Sequence, residues 1–163
     1  MSRGNRCYYN GAVYHISIRG NNRQMILQKE EDKRLFLECL KKFKERFNFK
    51  LFGFVVMDNH VHSVIKTADK VNISKIMQAV TLSYSVRFRH KYLYTGYVWQ
   101  GRFTSKVIEN DGYILNTLEY IHNNPVRAKI VNDPADYPWS SYKLYNERGA
   151  GGNDYPWVDK YEG

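Results

Sequence analysis

Four segments of the chain have the alternating or continuously apolar, β-branched composition that is typical of β-strands. They are residues 12–19, 49–57, 60–66 and 105–108. Asp58 and Asn59, between the second and third segments, have turn chemistry, so these two segments are predicted to form a β-hairpin.

Three other segments repeat their apolar residues every three or four positions, as amphipathic helices do. They begin at Glu30, Ile73 and Gly112, and the second of them ends in a basic stretch. Asp111 is the expected N-cap of the third helix, and Pro125 is expected to stop it.

The order strand, helix, strand, strand, helix, strand is the split βαβ pattern. It predicts an α+β, ferredoxin-like βαββαβ sandwich, in which an antiparallel sheet carries helices on one face, with an extra helix at the end. A basic N-terminal arm is expected at residues 1–11, one main domain at 12–132, and a C-terminal helix and tail at 133–163. Prolines and glycines in the tail predict a short helix near residues 140–145, followed by loosely ordered chain.

The charge of the chain points to a polyanionic partner. Its 25 lysines and arginines exceed its 16 acidic residues by nine, and such a surface attracts nucleic acid through counterion release. Charge alone is also compatible with a soluble basic protein of another kind, although nucleic acid is the leading partner. No apolar run suggests a membrane span or a signal peptide, so a cytoplasmic location without membrane contact is expected. The two cysteines, Cys7 and Cys39, are expected to be reduced.

His60-Val61-His62 is the first candidate for chemistry, because residues two apart on a strand project from the same side of the sheet. Two neighbouring imidazole nitrogens can share a divalent cation, which would need at least one more protein ligand and open positions for substrate. Histidines on a half-exposed strand are also common as ordinary surface residues. The pair therefore needs a second observation.

That observation is the spacing of Tyr120 and Asn124, which are four residues apart and would share one face of the third helix. A tyrosine phenol has a free pKa of about 10 and is a poor nucleophile unless a nearby cation or base favours its ionised form. A tyrosine and an amide facing the histidine pair would suit a phosphoryl-transfer site.

The motifs MDNHVH at residues 57–62 and YIHNNP at 120–125 resemble those of the HUH single-tyrosine transposases. Within that family, the chain is most similar to the REP-associated tyrosine transposases, a resemblance also visible at residues 11–15, 19–21 and 99–103. The resemblance extends from about residue 3 to residue 142.

The resemblance implies that His60 and His62 are ligands of Mg²⁺ or Mn²⁺ and that Tyr120 is the nucleophile. Many relatives have a glutamine as third ligand where this chain has Asn124. The implied reaction is transesterification of single-stranded DNA with hairpins through a 5′-phosphotyrosine intermediate. Members act as monomers or homodimers, and both remain open for this chain.

Three residues compete with these assignments. Tyr113 lies seven residues before Tyr120 and projects from nearly the same helical face, but only Tyr120 has Asn124 at the matching spacing. His15, on the first strand, could approach the metal site, although a packed or solvated histidine is the expectation. His122 should point away from the site.

Contacts with DNA are expected from basic side chains and from aromatic rings on which unpaired bases can stack. Trp99 and Phe103 could equally complete the core. The candidates are Arg3, Arg6, Arg19, Arg87, Arg89, Lys91, Trp99, Arg102, Phe103 and Lys106.

Two other functional classes stay open. A binding module for structured DNA or RNA with an inactive site would have the same basic surface. Replication initiators and relaxases share HUH chemistry but usually have longer chains with further domains, so the short length favours a transposase.

Overall fold

The structure is a computed structural model that describes residues 9–146 and 153–163. Arg3, Arg6 and Cys7, with most of the expected N-terminal arm, lie outside the described residues. The described elements are β1 (Val13–Arg19), α1 (Glu30–Phe47), β2 (Lys50–Val56), β3 (His60–Lys66), α2 (Ile73–Tyr92), β4 (Thr104–Ile108), α3 (Asp111–His122), α4 (Asn124–Arg127) and α5 (Tyr142–Tyr145). Within these residues, no helix is both long and apolar enough to cross a membrane.

The four strands form one antiparallel sheet in the order β2-β3-β1-β4. The predicted α+β fold with an antiparallel sheet is therefore confirmed, as are the predicted strands and helices to within a few residues. The predicted hairpin is also present, because β2 pairs with β3 across the Asp58-Asn59 turn.

Helices α1 and α2 of the βαββαβ unit lie on one face of the sheet, as predicted, and the additional helix α3 covers the other face. Helices α1 and α2 pack on a first face that contains Tyr14, Ile16 and Ile18 of β1. The buried apolar side chains between these helices and this face are called the first core. Helix α3 packs on the second face, where Phe52 and Val64 lie. The physical reason is that β2 is buried along nearly its whole length, and a sheet that is apolar on both faces needs a layer on each.

The approach of α3 to β2 is close because β2 has a glycine beneath the helix. A Cβ atom added at Gly53 would lie 2.4 Å from Cδ2 of Leu118 and 3.1 Å from the hydroxyl of Ser141. The pairing of β2 with β3 shifts register between Leu51 and Gly53, so this strand contains a bulge at the contact.

Asn110, and not the predicted Asp111, is the N-cap of α3. Its side-chain oxygen accepts a hydrogen bond from the backbone N–H of Tyr113 at 3.1 Å. Asp111 is instead the first helical residue and accepts a hydrogen bond from the hydroxyl of Tyr161. Asparagine and aspartate cap equally well, so the sequence did not separate these neighbours.

The described part of the tail, residues 153–163, is packed and not loosely ordered as expected. Val158 is buried in the first core, and Asp159 exchanges hydrogen bonds with the backbone of Leu51, at 2.9 Å for each. The rings of Tyr155 and Trp157 pack against Phe54. Aromatic burial therefore outweighs the local preference of prolines and glycines for irregular chain.

The contact at Gly53 yields a first prediction. Gly53→Ala should lower the free energy of unfolding by about 1–3 kcal/mol, because the new methyl group overpacks the interface with α3. Urea unfolding followed by circular dichroism measures the effect. In a Leu118→Ala background the cost should be smaller, since the opposing methyl group is gone; an equal cost in both backgrounds would contradict the assigned contact.

Candidate active site

Strand β3 places His60 and His62 on the second face of the sheet, the face that α3 covers. Both side chains are half-buried, and their ring centroids are 5.2 Å apart. Val61 between them points into the first core. The strand period therefore brings the two imidazoles together, as the sequence predicted.

Each of these imidazoles has its Nδ1 atom occupied by a neighbour. Nδ1 of His60 lies 2.7 Å from the side-chain oxygen of Asn59, and the Asn59 amide nitrogen donates to the carbonyl of Arg23. This orientation of the amide makes His60 Nδ1 the donor. Nδ1 of His62 lies 3.0 Å from Nε2 of His15. Both histidines thus keep Nε2 for another partner.

His15 is therefore part of the site, contrary to the expectation that it is only packed or solvated. It lies on β1, which pairs directly with β3, and its ring is 5.2 Å from that of His62. A histidine in an alternating strand gives no sequence signal for this role. Only the strand order, with β1 beside β3, reveals it.

Burial makes the neutral form the stable one for these histidines. Desolvation lowers the pKa of His15 and of His60, and a hydrogen bond with the Asn124 side chain partly opposes the effect on His60. The pKa of His62 falls to about 3, first through burial and then through repulsion from His60 and His15. At neutral pH the pair is uncharged, the state that binds a metal ion.

The turn before His60 is anchored by an ion pair between a buried lysine and a partly exposed aspartate. Lys33 is only 4% exposed, and its ammonium group lies 2.6 Å from a carboxylate oxygen of Asp58 and donates to the carbonyl of Leu27 at 2.7 Å. Backbone N–H groups of Gly20 and Leu27 donate to the carbonyls of Asn59 and Asp58. The MDN part of the motif therefore holds and orients the histidine that follows it.

Tyr120 projects from α3 toward the histidines. Its side chain is half-exposed, and its ring centroid lies 6.3 Å from that of His62 and 6.2 Å from that of His15. Asn124, the first residue of α4, hydrogen-bonds His60. The predicted tyrosine and amide thus meet the histidine pair on one side of the sheet.

Arg127 is a residue that sequence reasoning missed. Its guanidinium carbon lies 4.0 Å from the centroid of the Tyr120 ring, and its positive charge contributes to the lowered pKa of His62. Arg127 follows Tyr120 by seven residues, or two helical turns, so the helical period could have indicated it. The guanidinium group both restrains the ring and adds positive charge to the site.

Two of the predicted DNA-binding residues border this centre. Arg19 lies close enough for its charge to lower the pKa of His60, and Lys106 does the same for His15. The β1–β4 pairing places Lys106 directly opposite His15. These positive charges lie beside the histidines, where a phosphate would approach.

A second group of the predicted residues lines a neighbouring groove of about 350 Å³. Arg19, Trp99, Arg102 and Phe103 contribute to it. The Trp99 indole N–H donates to the carbonyl of Thr81, and its ring packs on core aromatic rings. Trp99 therefore has a core role, one of the two alternatives that the sequence left open, and still borders the groove.

The basic end of α2 lies on the opposite face of the sheet from the histidines. Lys91 is paired with Asp32 at 2.7 Å and Glu31 at 2.8 Å, and Arg89 donates to the carbonyl of Gly96. Arg87 faces Glu38 at 3.8 Å. The structure thus separates these cations from Tyr120 and gives each of them a partner within the chain.

Tyr113 and His122 differ from Tyr120 in their surroundings. Tyr113 is 62% exposed, and the ring contacts found among the described residues join Tyr120, not Tyr113, to the histidines. His122 is buried and its Nε2 lies 2.8 Å from the hydroxyl of Ser141. It belongs to the packing beneath α3, outside the site as predicted.

Comparisons with known proteins identify relatives of this chain. The family model described as "Transposase IS200 like" matches residues 8–124. A Haemophilus influenzae protein named for the REP-associated tyrosine transposases is 25% identical over 177 residues, covering 94% of this chain and 96% of that protein.

Two solved structures share the fold. One, a REP-associated tyrosine transposase bound to a REP hairpin, has a TM-score of 0.78, is 22% identical and covers all of both chains. The other, a transposase-like protein from Deinococcus radiodurans, has a TM-score of 0.52 and is 16% identical, covering 76% of this chain and 95% of that one.

The class of protein is that of the transposases, which are DNA-processing enzymes. Within this class, the chain belongs to the IS200-like transposase family, because the family model spans most of it. Its similarity over nearly full length is to the REP-associated tyrosine transposases.

The lowered pKa of His62 gives a second prediction. In protein treated with EDTA, the imidazole resonances of His62 should keep their neutral positions from pH 8 down to about pH 5, because burial disfavours the charged ring until the pH nears its pKa of about 3. NMR of histidine-labelled protein measures this, with His62→Gln providing the assignment. A titration midpoint near 6.5 would contradict the desolvated site.

Proposed function

We propose that this transposase cleaves and rejoins single-stranded DNA beside hairpins, with Tyr120 as the nucleophile and a divalent metal ion held by the histidine pair. The observation that carries the proposal is the position of Tyr120, whose ring lies about equally far from His15 and His62. The related structure bound to a REP hairpin supports hairpin-bearing DNA as the substrate class.

In the proposed step, the phenolic oxygen of Tyr120 attacks the phosphorus atom of a phosphodiester. A bond forms between that oxygen and phosphorus, and the bond from phosphorus to the 3′ oxygen breaks. The phenolic proton is lost from Tyr120 and a proton is gained by the leaving 3′ oxygen. The products are a 5′-phosphotyrosine link and a free 3′-hydroxyl, and attack by another 3′-hydroxyl reverses the step.

The donor atoms of the site fit a divalent ion. Because Nδ1 of each ring is bonded to Asn59 or His15, Nε2 is the nitrogen with which His60 and His62 would bind an ion, and the Asn124 side chain lies beside His60. The described residues contain no group of three or more His, Cys, Asp or Glu side chains suited to a metal, so an amide is the proposed third donor. A bound Mg²⁺ or Mn²⁺ would neutralise charge on the scissile phosphate.

The protein's own residues supply the remaining functions. The Arg127 guanidinium holds the Tyr120 ring and offers donors to a phosphate oxygen. His60, His62 and His15 lie side by side and are called the histidine row. Arg19 adds positive charge at its His60 end and Lys106 at its His15 end. The Lys33–Asp58 pair fixes the turn that carries His60. Attacking group and phosphate are thereby oriented before reaction, which accounts for much of enzymatic rate acceleration.

The third prediction concerns the nucleophile. Tyr120→Phe should abolish the covalent protein–DNA adduct while DNA binding persists, because only the attacking oxygen is removed. A denaturing gel of labelled hairpin DNA incubated with Mn²⁺ measures adduct formation. Tyr97→Phe, at an exposed tyrosine outside the site, is the matched control and should form the adduct as the unaltered chain does.

Two results would overturn this assignment. Loss of the adduct in Tyr113→Phe with retention in Tyr120→Phe would make Tyr113 the nucleophile. Binding without any adduct, with Mg²⁺ or with Mn²⁺, would leave a binding protein for structured nucleic acid in place of an enzyme.

The fourth prediction concerns the metal and uses binding, not activity, as its readout. His60→Ala should weaken Mn²⁺ binding by about 100-fold or more, and His15→Ala by about 10- to 100-fold because His15 only orients a ligand. Isothermal titration calorimetry measures the affinity, and the shift of the melting temperature with Mn²⁺ provides a second readout.

The control for metal binding is His90→Ala, which alters an exposed histidine of α2 on the other face of the sheet. It should bind Mn²⁺ like the unaltered chain. Equal affinity in His60→Ala and the unaltered chain would exclude the proposed site, and an unchanged affinity in Asn124→Ala would remove the amide from the ligand set.

A further inference from the structure

A groove of about 640 Å³ lies beside the candidate nucleophile and is not used by the chemistry proposed above. His15 and Tyr120 border it, and it continues along α3 and β4 to Tyr113, Asn116 and Lys106. Its volume lies within the range of about 300–1,000 Å³ typical of small-ligand sites. The groove therefore has room for a nucleotide adjoining the reacting phosphate.

Tyr113 gives this groove an exposed aromatic surface. Its side chain is 62% exposed, although an aromatic ring at that position could have been buried against the sheet. Its backbone is fixed, because its N–H donates to Asn110 and its carbonyl accepts from the hydroxyl of Thr117 at 2.6 Å. The ring is thus presented to the groove from a rigid turn of helix.

The chemistry of the lining matches an unpaired nucleotide. An aromatic ring stacks on any base, the Asn116 amide can both donate to and accept from a base edge, and the Lys106 ammonium suits a phosphate. Glu109, also in the lining, can accept a hydrogen bond from a base amino group. Aromatic, amide and cationic groups in one groove are the usual components of single-strand binding sites.

We propose that this groove is the binding site of the unpaired base next to the scissile phosphate, and that this base stacks on Tyr113. The inference rests on the proposed function, because Tyr120 at one end of the groove fixes where the phosphate lies. Tyr113 and Tyr120 are two helical turns apart, about 10 Å along the axis. One nucleotide of single-stranded DNA can bridge that distance, so that its base stacks on Tyr113 while its phosphate lies at Tyr120.

The test is a cycle that combines Tyr113→Ala with DNA strands lacking one base. All chains also carry Tyr120→Phe, so that dissociation constants are measured without cleavage. The strands have an abasic residue immediately before the scissile phosphate, immediately after it, or three nucleotides away. Since only binding is measured, the result is independent of whether Tyr120 forms an adduct.

Tyr113→Ala should weaken binding of the intact strand by about 5- to 150-fold, the range found for loss of one base stack. Removing the base at one of the two adjoining positions should weaken binding to a similar degree. Tyr113→Ala combined with that abasic strand should bind little more weakly than either change alone. Tyr113→Phe should keep the stack because it keeps the ring. Tyr97→Ala, which removes an exposed ring elsewhere, is the matched control and should bind all strands like its parent.

Two outcomes would overturn the proposal. One is that Tyr113→Ala does not weaken binding of the intact strand. The other is that the losses from Tyr113→Ala and from base removal multiply at both adjoining positions, as independent effects do. A melting temperature equal to that of the parent chain excludes unfolding as the cause of any loss in Tyr113→Ala.

Discussion

The packing of α3 on the second face of the sheet is the contact on which the site depends. Leu118 fits above Gly53 of β2, and Ile114 and Ile121 complete the apolar stripe. Residue 120 is fixed by this stripe, because it lies between two of the buried positions on the same helix. The hydrophobic burial of α3 thus sets the distance between Tyr120 and the histidines. The helix is held in place by its apolar residues and not by contacts of Tyr120.

The histidine row carries a second constraint, which is the cost of burying polar rings. Neutral imidazoles can be buried only when their nitrogen atoms have partners. Asn59 and His15 satisfy one nitrogen of each of His60 and His62, and the same bonds orient the remaining nitrogens. The groups that make burial tolerable therefore also prepare the site, so that stability and function depend on the same contacts.

Much of the fold could be predicted from the sequence because its signals are local. Strand and helix periods gave the order of the elements, and the positions of Tyr120 and Asn124 followed from helical spacing. The location of α3 on the second face could not be read in this way, although the continuous apolar composition of β2 was a sign that both faces are covered. Periodicity shows that a face is buried but not which element covers it.

The parts of the site that escaped prediction depend on tertiary contacts. His15 enters through the pairing of β1 with β3, and Arg127 was missed because the helix was predicted to stop at Pro125, whereas the chain continues as α4 through Arg127. The cations at the end of α2 were predicted to contact DNA but are paired within the chain. Lys91, for example, pairs with Asp32 and Glu31 of α1. Charge along a sequence shows where cations occur, and only the fold shows which of them are paired.

We propose that one chain supplies both the histidine pair and the tyrosine of a single site. The most direct test mixes two inactive chains, His60→Ala and Tyr120→Phe, and measures the covalent adduct with labelled hairpin DNA. The mixture should stay inactive, since each chain lacks part of its own site. Recovery of adduct in the mixture would contradict the proposal, because it would show that the tyrosine of one chain acts with the histidines of another.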